Sequence, residues 1–94
     1  MELEEYFGDL QSLIVDTEDR SGEGMDRARI TFANGYGISV ISGWMAYGNY
    51  EIAVIGPDGS LDYSTPVTND VEPCHTLEEV SAYAREISQL PPKG

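Results

Sequence analysis

Near the start of the chain, apolar residues recur at steps of three and four: Leu3, Tyr6, Phe7, Leu10, Leu13 and Ile14. That spacing predicts an amphipathic helix over residues 1–15, with its acids on the outer face. Glu2, Glu4 and Glu5 fall in its first turn, where the positive end of the helix dipole favours negative charge. Gly8 is the position that works against it. The helical period then stops. Residues 16–28 are polar, carry Gly22 and Gly24, and read as a mobile acidic loop.

A two-residue period follows over 29–67. Arg29 to Ala33 alternates polar and apolar, Asn34-Gly35 has the signature of a type I′ turn, and Tyr36 to Ile41 resumes the β pattern. Tyr50 to Ile55 is the most β-prone run and is expected to form the central strand. Gly56-Pro57-Asp58-Gly59 predicts a turn, because proline presets φ and glycine accepts a positive one. Ser60 to Val67 reads as a shorter strand, placed at an edge by Pro66. Thr76-Leu77-Glu78-Glu79 has capping-box spacing ahead of Val80, Ala84, Ile87 and Leu90, which predicts a helix over 76–90 stopped by Pro91-Pro92. The expected fold is α+β: a four-stranded antiparallel β-meander packed against an N-terminal and a C-terminal helix, in the order α-β-β-β-β-α, as a single domain over 1–94.

Composition narrows the function classes. Ninety-four residues with 40% apolar side chains suffice for one modest core and leave no room for a large cleft between lobes. Against 17 acidic residues stand 5 basic ones, a net charge of −12. Nine of the acids precede residue 27 and face Arg20 alone, so −8 of that charge lies in the first 26 residues. Such a chain repels phosphate backbones and anionic membranes and is expected to bind basic surfaces. With no long apolar stretch, an acidic rather than basic and apolar N-terminus, and Cys74 as its lone cysteine, the expected setting is a reducing cytoplasm.

Little in the sequence points to catalysis. Cys74 and His75 are adjacent and so point apart in extended chain, which makes them a poor nucleophile and base. One cysteine and one histidine do not furnish a zinc site. The Asp16–Gly24 stretch lacks the register of a calcium-binding loop. Gly35-Tyr36-Gly37 and Gly56-Pro57-Asp58-Gly59 precede neither a helix nor a lysine, so they are turns rather than phosphate cradles. No catalytic residue, metal ligand or cofactor is assigned.

Two surfaces remain. The acidic one has a plain reading, solubility, and a sharper one, in which ordered carboxylates imitate phosphates and occupy a partner's nucleic-acid channel. The second surface is Trp44, Met45, Tyr47 and Tyr50, residue types that anchor protein interfaces but that in a small domain also fold back onto the core.

Asn34-Gly35-Tyr36-Gly37-Ile38-Ser39-Val40, Tyr50-Glu51-Ile52-Ala53-Val54, Asp58-Gly59, Tyr63 to Val71 and Leu77-Glu78-Glu79-Val80 span about two thirds of the chain. Together they resemble a family of small bacteriophage and prophage proteins with the pattern N-G-Y-G-x-S-V, Y-E-[IV]-A-V, D-G, Y-D-T-P-[IV]-T-[ND]-D-V and a closing helix. The chain departs from it at Ser64, where an aspartate is common, at Glu72-Pro73-Cys74-His75, and in its acidic N-terminal segment. The resemblance implies no catalytic residue. It implies a phage-encoded, non-enzymatic inhibitor of host defence, of the anti-CRISPR type, whose partner is a basic nucleic-acid-binding protein such as a CRISPR effector complex. The expected partner-binding residues are Glu2, Glu4, Glu5, Asp9, Glu18 and Asp19, with Trp44 and Tyr47 as apolar anchors. The alternative is a structural or accessory phage protein that self-associates, as a homodimer for example, through its sheet edge or the Trp44 loop.

Overall fold

The computed structural model describes residues 7–19, 25–43, 50–62 and 72–91. A 3-10 helix, Gly8–Leu13, leads into strand β1 (Ile14–Asp19), followed by β2 (Met25–Phe32), β3 (Gly37–Gly43), β4 (Tyr50–Ile55), β5 (Glu72–Cys74) and helix α1 (Leu77–Ser88). The strands form one antiparallel sheet in the order β1-β2-β3-β4-β5. The α+β class therefore holds, with five strands instead of four.

Burial follows the two periods read from the sequence. Ala28, Ile30 and Phe32 of β2, Ile38 and Val40 of β3, and Ile52 and Val54 of β4 point to one face of the sheet. Val80, Ala84 and Ile87 of α1, at helical spacing, close over them, and Phe7 and Leu10 complete the same core. Each buried isoleucine or phenylalanine removes enough apolar surface to contribute about 1.5–3 kcal/mol. The structure reproduces the capping box with a shift. Thr76 Oγ1 accepts from the Glu79 N–H at 3.2 Å, while the Glu79 carboxylate accepts from the N–H of His75, one residue before the cap, at 2.8 Å. Thr76→Ala is expected to cost about 1 kcal/mol, read as a fall of about 4–8 °C in a thermal melt; an unchanged midpoint would show the cap to be dispensable.

Four expectations need correction. The helix over 1–15 does not continue to its end: Gly8 takes φ +55°, a left-handed conformation foreign to an α-helix, and the chain proceeds as a 3-10 turn and then a strand. The proposed loop over 16–28 is largely strand, since β1 runs to Asp19 and β2 starts at Met25. The central strand is β3, not β4; β4 looked central because Ala53 and Ile55 on its other face are also covered. The strand expected from Ser60 reduces, in its described part, to a single bridge between Ile55 and Leu61. Residues 63–67 of that strand lie outside the described residues.

The Asn34-Gly35 connection is a three-residue turn in place of the expected two-residue one. Gly35 N–H donates to the Phe32 carbonyl at 3.0 Å and Phe32 N–H to the Tyr36 carbonyl at 2.8 Å, with Gly35 at φ +93°. The β4 exit repeats this geometry, from Gly59 N–H to the Gly56 carbonyl at 2.9 Å and from Gly56 N–H to the Ser60 carbonyl at 2.8 Å, with Gly59 at φ +87°. Asp58 Oδ1 adds an Asx turn by accepting from both Ser60 N–H and Ser60 Oγ. Among the described residues no helix is long and apolar enough to cross a membrane.

Candidate functional site

The face of the sheet opposite α1 carries the polar half of β1 and β2 and a mixed set of residues from β3 and β4. Strand register lays it out in rows: Asp16, Thr31, Gly37 and Ile55 in one; Glu18, Arg29, Ser39 and Ala53 in the next; Arg27, Ile41 and Glu51 in a third. A bulge places the acids there. Ile14 pairs with Phe32 and Asp16 with Thr31, so Val15 is an extra residue opposite a single step of β2. Without it, Ile14 and Asp16 would share a face. With it, Ile14 packs against the core while Asp16 and Glu18 turn to the open face.

Glu18 stands directly across from Arg29, an opposite-charge pairing of the kind that contributes about 0.2–1 kcal/mol to a sheet. Arg29 Nη1 also donates to the Gly59 carbonyl at 3.2 Å, which fastens the β4 exit turn over this end of the face. Between them lies a hollow of about 140 Å³ bordered by Asp16, Glu18, Arg29 and the side-chain-free backbone of Gly35, Gly37, Gly56 and Gly59. Among the described residues, no group of three or more His, Cys, Asp or Glu residues is placed to hold a metal ion.

Of the expected partner-binding residues, Glu18 is exposed on β1 and Asp19 ends the same strand opposite Ala28. Asp9 lies in the 3-10 helix, on the other side of Ile14 in the chain. Glu2, Glu4, Glu5, Trp44 and Tyr47 lie outside the described residues. The sequence reading missed three members of this surface. Asp16 is exposed beside Glu18, and Leu13 and Val15, 37% and 64% exposed, stand at the start of the same edge. Val15 and Asp16 are the signal that was available, an apolar-acidic junction directly after an apolar helical pattern.

The Asn34-Gly35-Tyr36-Gly37 segment is accounted for by folding. Asn34 Nδ2 donates to the Ile87 and Leu90 carbonyls, Gly35 supplies the positive φ, Tyr36 is buried, and a Cβ on Gly37 would lie 2.6 Å from the Ile30 carbonyl oxygen. Cys74 is fully buried in β5 and His75 is exposed, so the adjacent pair does not share a site. No family model, no curated protein and no solved structure matches the chain.

Proposed function

We propose that the protein works without turnover as an acidic decoy, an anti-CRISPR-type inhibitor carried by a phage, that occupies the basic nucleic-acid-binding surface of a host defence complex. The observation that carries this reading is the placement of Asp16 and Glu18 on a hydrogen-bonded strand, exposed and on one face. Alternate strand residues are spaced at roughly 6.7 Å, the axial rise of about two phosphates on one strand of a duplex. A net charge of −12 supplies the long-range attraction toward lysines and arginines. Charges fixed by a strand select a partner surface, whereas the same acids on a floppy tail bind basic proteins indiscriminately.

The test is capture of partners from a bacterial lysate containing CRISPR effector complexes, released along a salt gradient and identified by mass spectrometry. One dominant nucleic-acid-binding complex, released at raised salt and bound on the order of tenfold more weakly by the Asp16→Asn/Glu18→Gln double variant, is the expected result. Recovery of the protein alone, with a mass that rises with concentration, overturns the reading in favour of a self-associating component.

A further inference from the structure

Of the two edges that the sheet has among the described residues, β5 is blunted: it is three residues long and has Pro73 at its centre. Short length and proline are the usual ways of closing an edge to further pairing. The other edge, β1, is six residues long, contains no proline, and has β2 as its only neighbouring strand among the described residues. Three large hydrophobics are exposed among the described residues, and two of them, Leu13 and Val15, stand at the start of this edge. Asp16, Thr17 and Glu18 follow, all exposed, with Asp19 at the strand end.

We propose that β1 is a docking strand that takes up one extended, basic segment of the partner as a sixth strand. The inference rests on the acidic-surface reading above and names its mode of recognition. The occupant is fixed by charge. A second copy laid antiparallel along β1 with Thr17 opposite Thr17 would set each Asp16 against the other copy's Glu18, and like charges directly opposite destabilise a strand pair. A segment with lysine or arginine at alternate positions meets Asp16 and Glu18 on one face instead. In that register the acids disfavour self-pairing, and they admit a basic strand, specificity obtained partly by repulsion. Main-chain hydrogen bonds supply affinity and the alternate side chains supply selection.

The probe is a synthetic octapeptide of alternating lysine and valine, compared with two versions N-methylated at either alternating set of backbone amides. Methylation keeps charge and side chains and removes the donors that strand addition needs. The expected result with the full chain is binding at low salt, loss of tenfold or more on methylation of one set, and slowed hydrogen exchange at the amides of Val15 to Asp19 when the parent peptide is bound. Equal binding of all three peptides, no binding of any, protection confined to other strands, or a free protein that is already a dimer with protected β1 amides each overturns it. Equal binding of all three leaves the acidic-decoy reading standing, because that reading fails only if no basic partner is captured.

Discussion

Asn34→Asp is expected to destabilise the fold by about 2–3 kcal/mol at neutral pH, although it alters little more than the identity of one side-chain atom. Asn34 sits in the β2–β3 turn, where its Oδ1 accepts from the Tyr36 N–H at 3.0 Å. Its Nδ2 reaches across the molecule and donates to the carbonyls of Ile87 at 2.8 Å and Leu90 at 2.9 Å, in and just beyond the last turn of α1. The Ile87 carbonyl also accepts from the Leu90 N–H at 3.1 Å, whereas the Leu90 carbonyl lies beyond the last helical turn and takes its hydrogen bond from the hairpin. The aspartate keeps the acceptor for Tyr36 and replaces the donor by an anion facing two carbonyl oxygens at the negative end of the helix dipole. Leaving the Leu90 carbonyl without this donor costs about 1 kcal/mol or more, and the part-buried anion facing both carbonyl oxygens adds to it.

Asn34→Ala is expected to lose a similar amount by a different route, since it removes the donor and the acceptor together. Thermal melts separate the two. Protonation lets the introduced carboxyl donate again and is favoured in the folded state, so folding raises its pKa. The aspartate variant's stability relative to the parent is therefore lost as pH rises through its titration and recovered as pH falls, while the gap for the alanine variant stays constant. Equal gaps at every pH would show that the bonds to Ile87 and Leu90 contribute nothing.

This tether also marks the boundary between what was legible in the sequence and what was not. β4 and α1 were read nearly to the residue because one signal dominates each: a run rich in β-branched and aromatic residues over Tyr50–Ile55, and a capped 3.6-residue period after Thr76. β1 was hidden for two physical reasons. As an edge strand with Asp16, Thr17 and Glu18 all exposed, it has the polarity of a loop, and its bulge at Val15 breaks the alternation that would have revealed it. Its existence is set by pairing with β2, a contact between residues up to 18 apart in the chain, which no local window detects. Asn34-Gly35 was read as a turn but not as a helix cap, because the carbonyls it serves lie 53 and 56 residues away. The acids of the candidate site were legible as charge and not as geometry. Glu18 was singled out, whereas Asp16 beside it and Arg29 opposite it follow only from the register.

Gly37→Ala is expected to cost about 2–3 kcal/mol, against the usual direction of a glycine-to-alanine change in a strand, which gains roughly 0.5–1 kcal/mol from chain entropy. The reason is backbone against backbone. A Cβ at Gly37 would stand 2.6 Å from the Ile30 carbonyl oxygen and 3.5 Å from the Thr31 Cα, and neither atom can swing aside as a side-chain tip can. Relief requires β2 and β3 to part at the Thr31–Gly37 pair, in the same row that carries Asp16. Gly59→Ala is the control: with φ +87° and nothing within 4 Å of the added carbon, it has strain without collision and is expected to cost about 1 kcal/mol. Denaturant midpoints rank the two, and hydrogen exchange locates the damage. The gap between them should come with faster exchange at the β2–β3 amides near Gly37 and, because β1 is paired to the displaced strand, with weaker capture of a basic partner even where the chain remains folded. A Gly37→Ala chain as stable as the parent would mean that the β2–β3 separation is soft, and that the acidic edge is held in place by β1–β2 pairing alone.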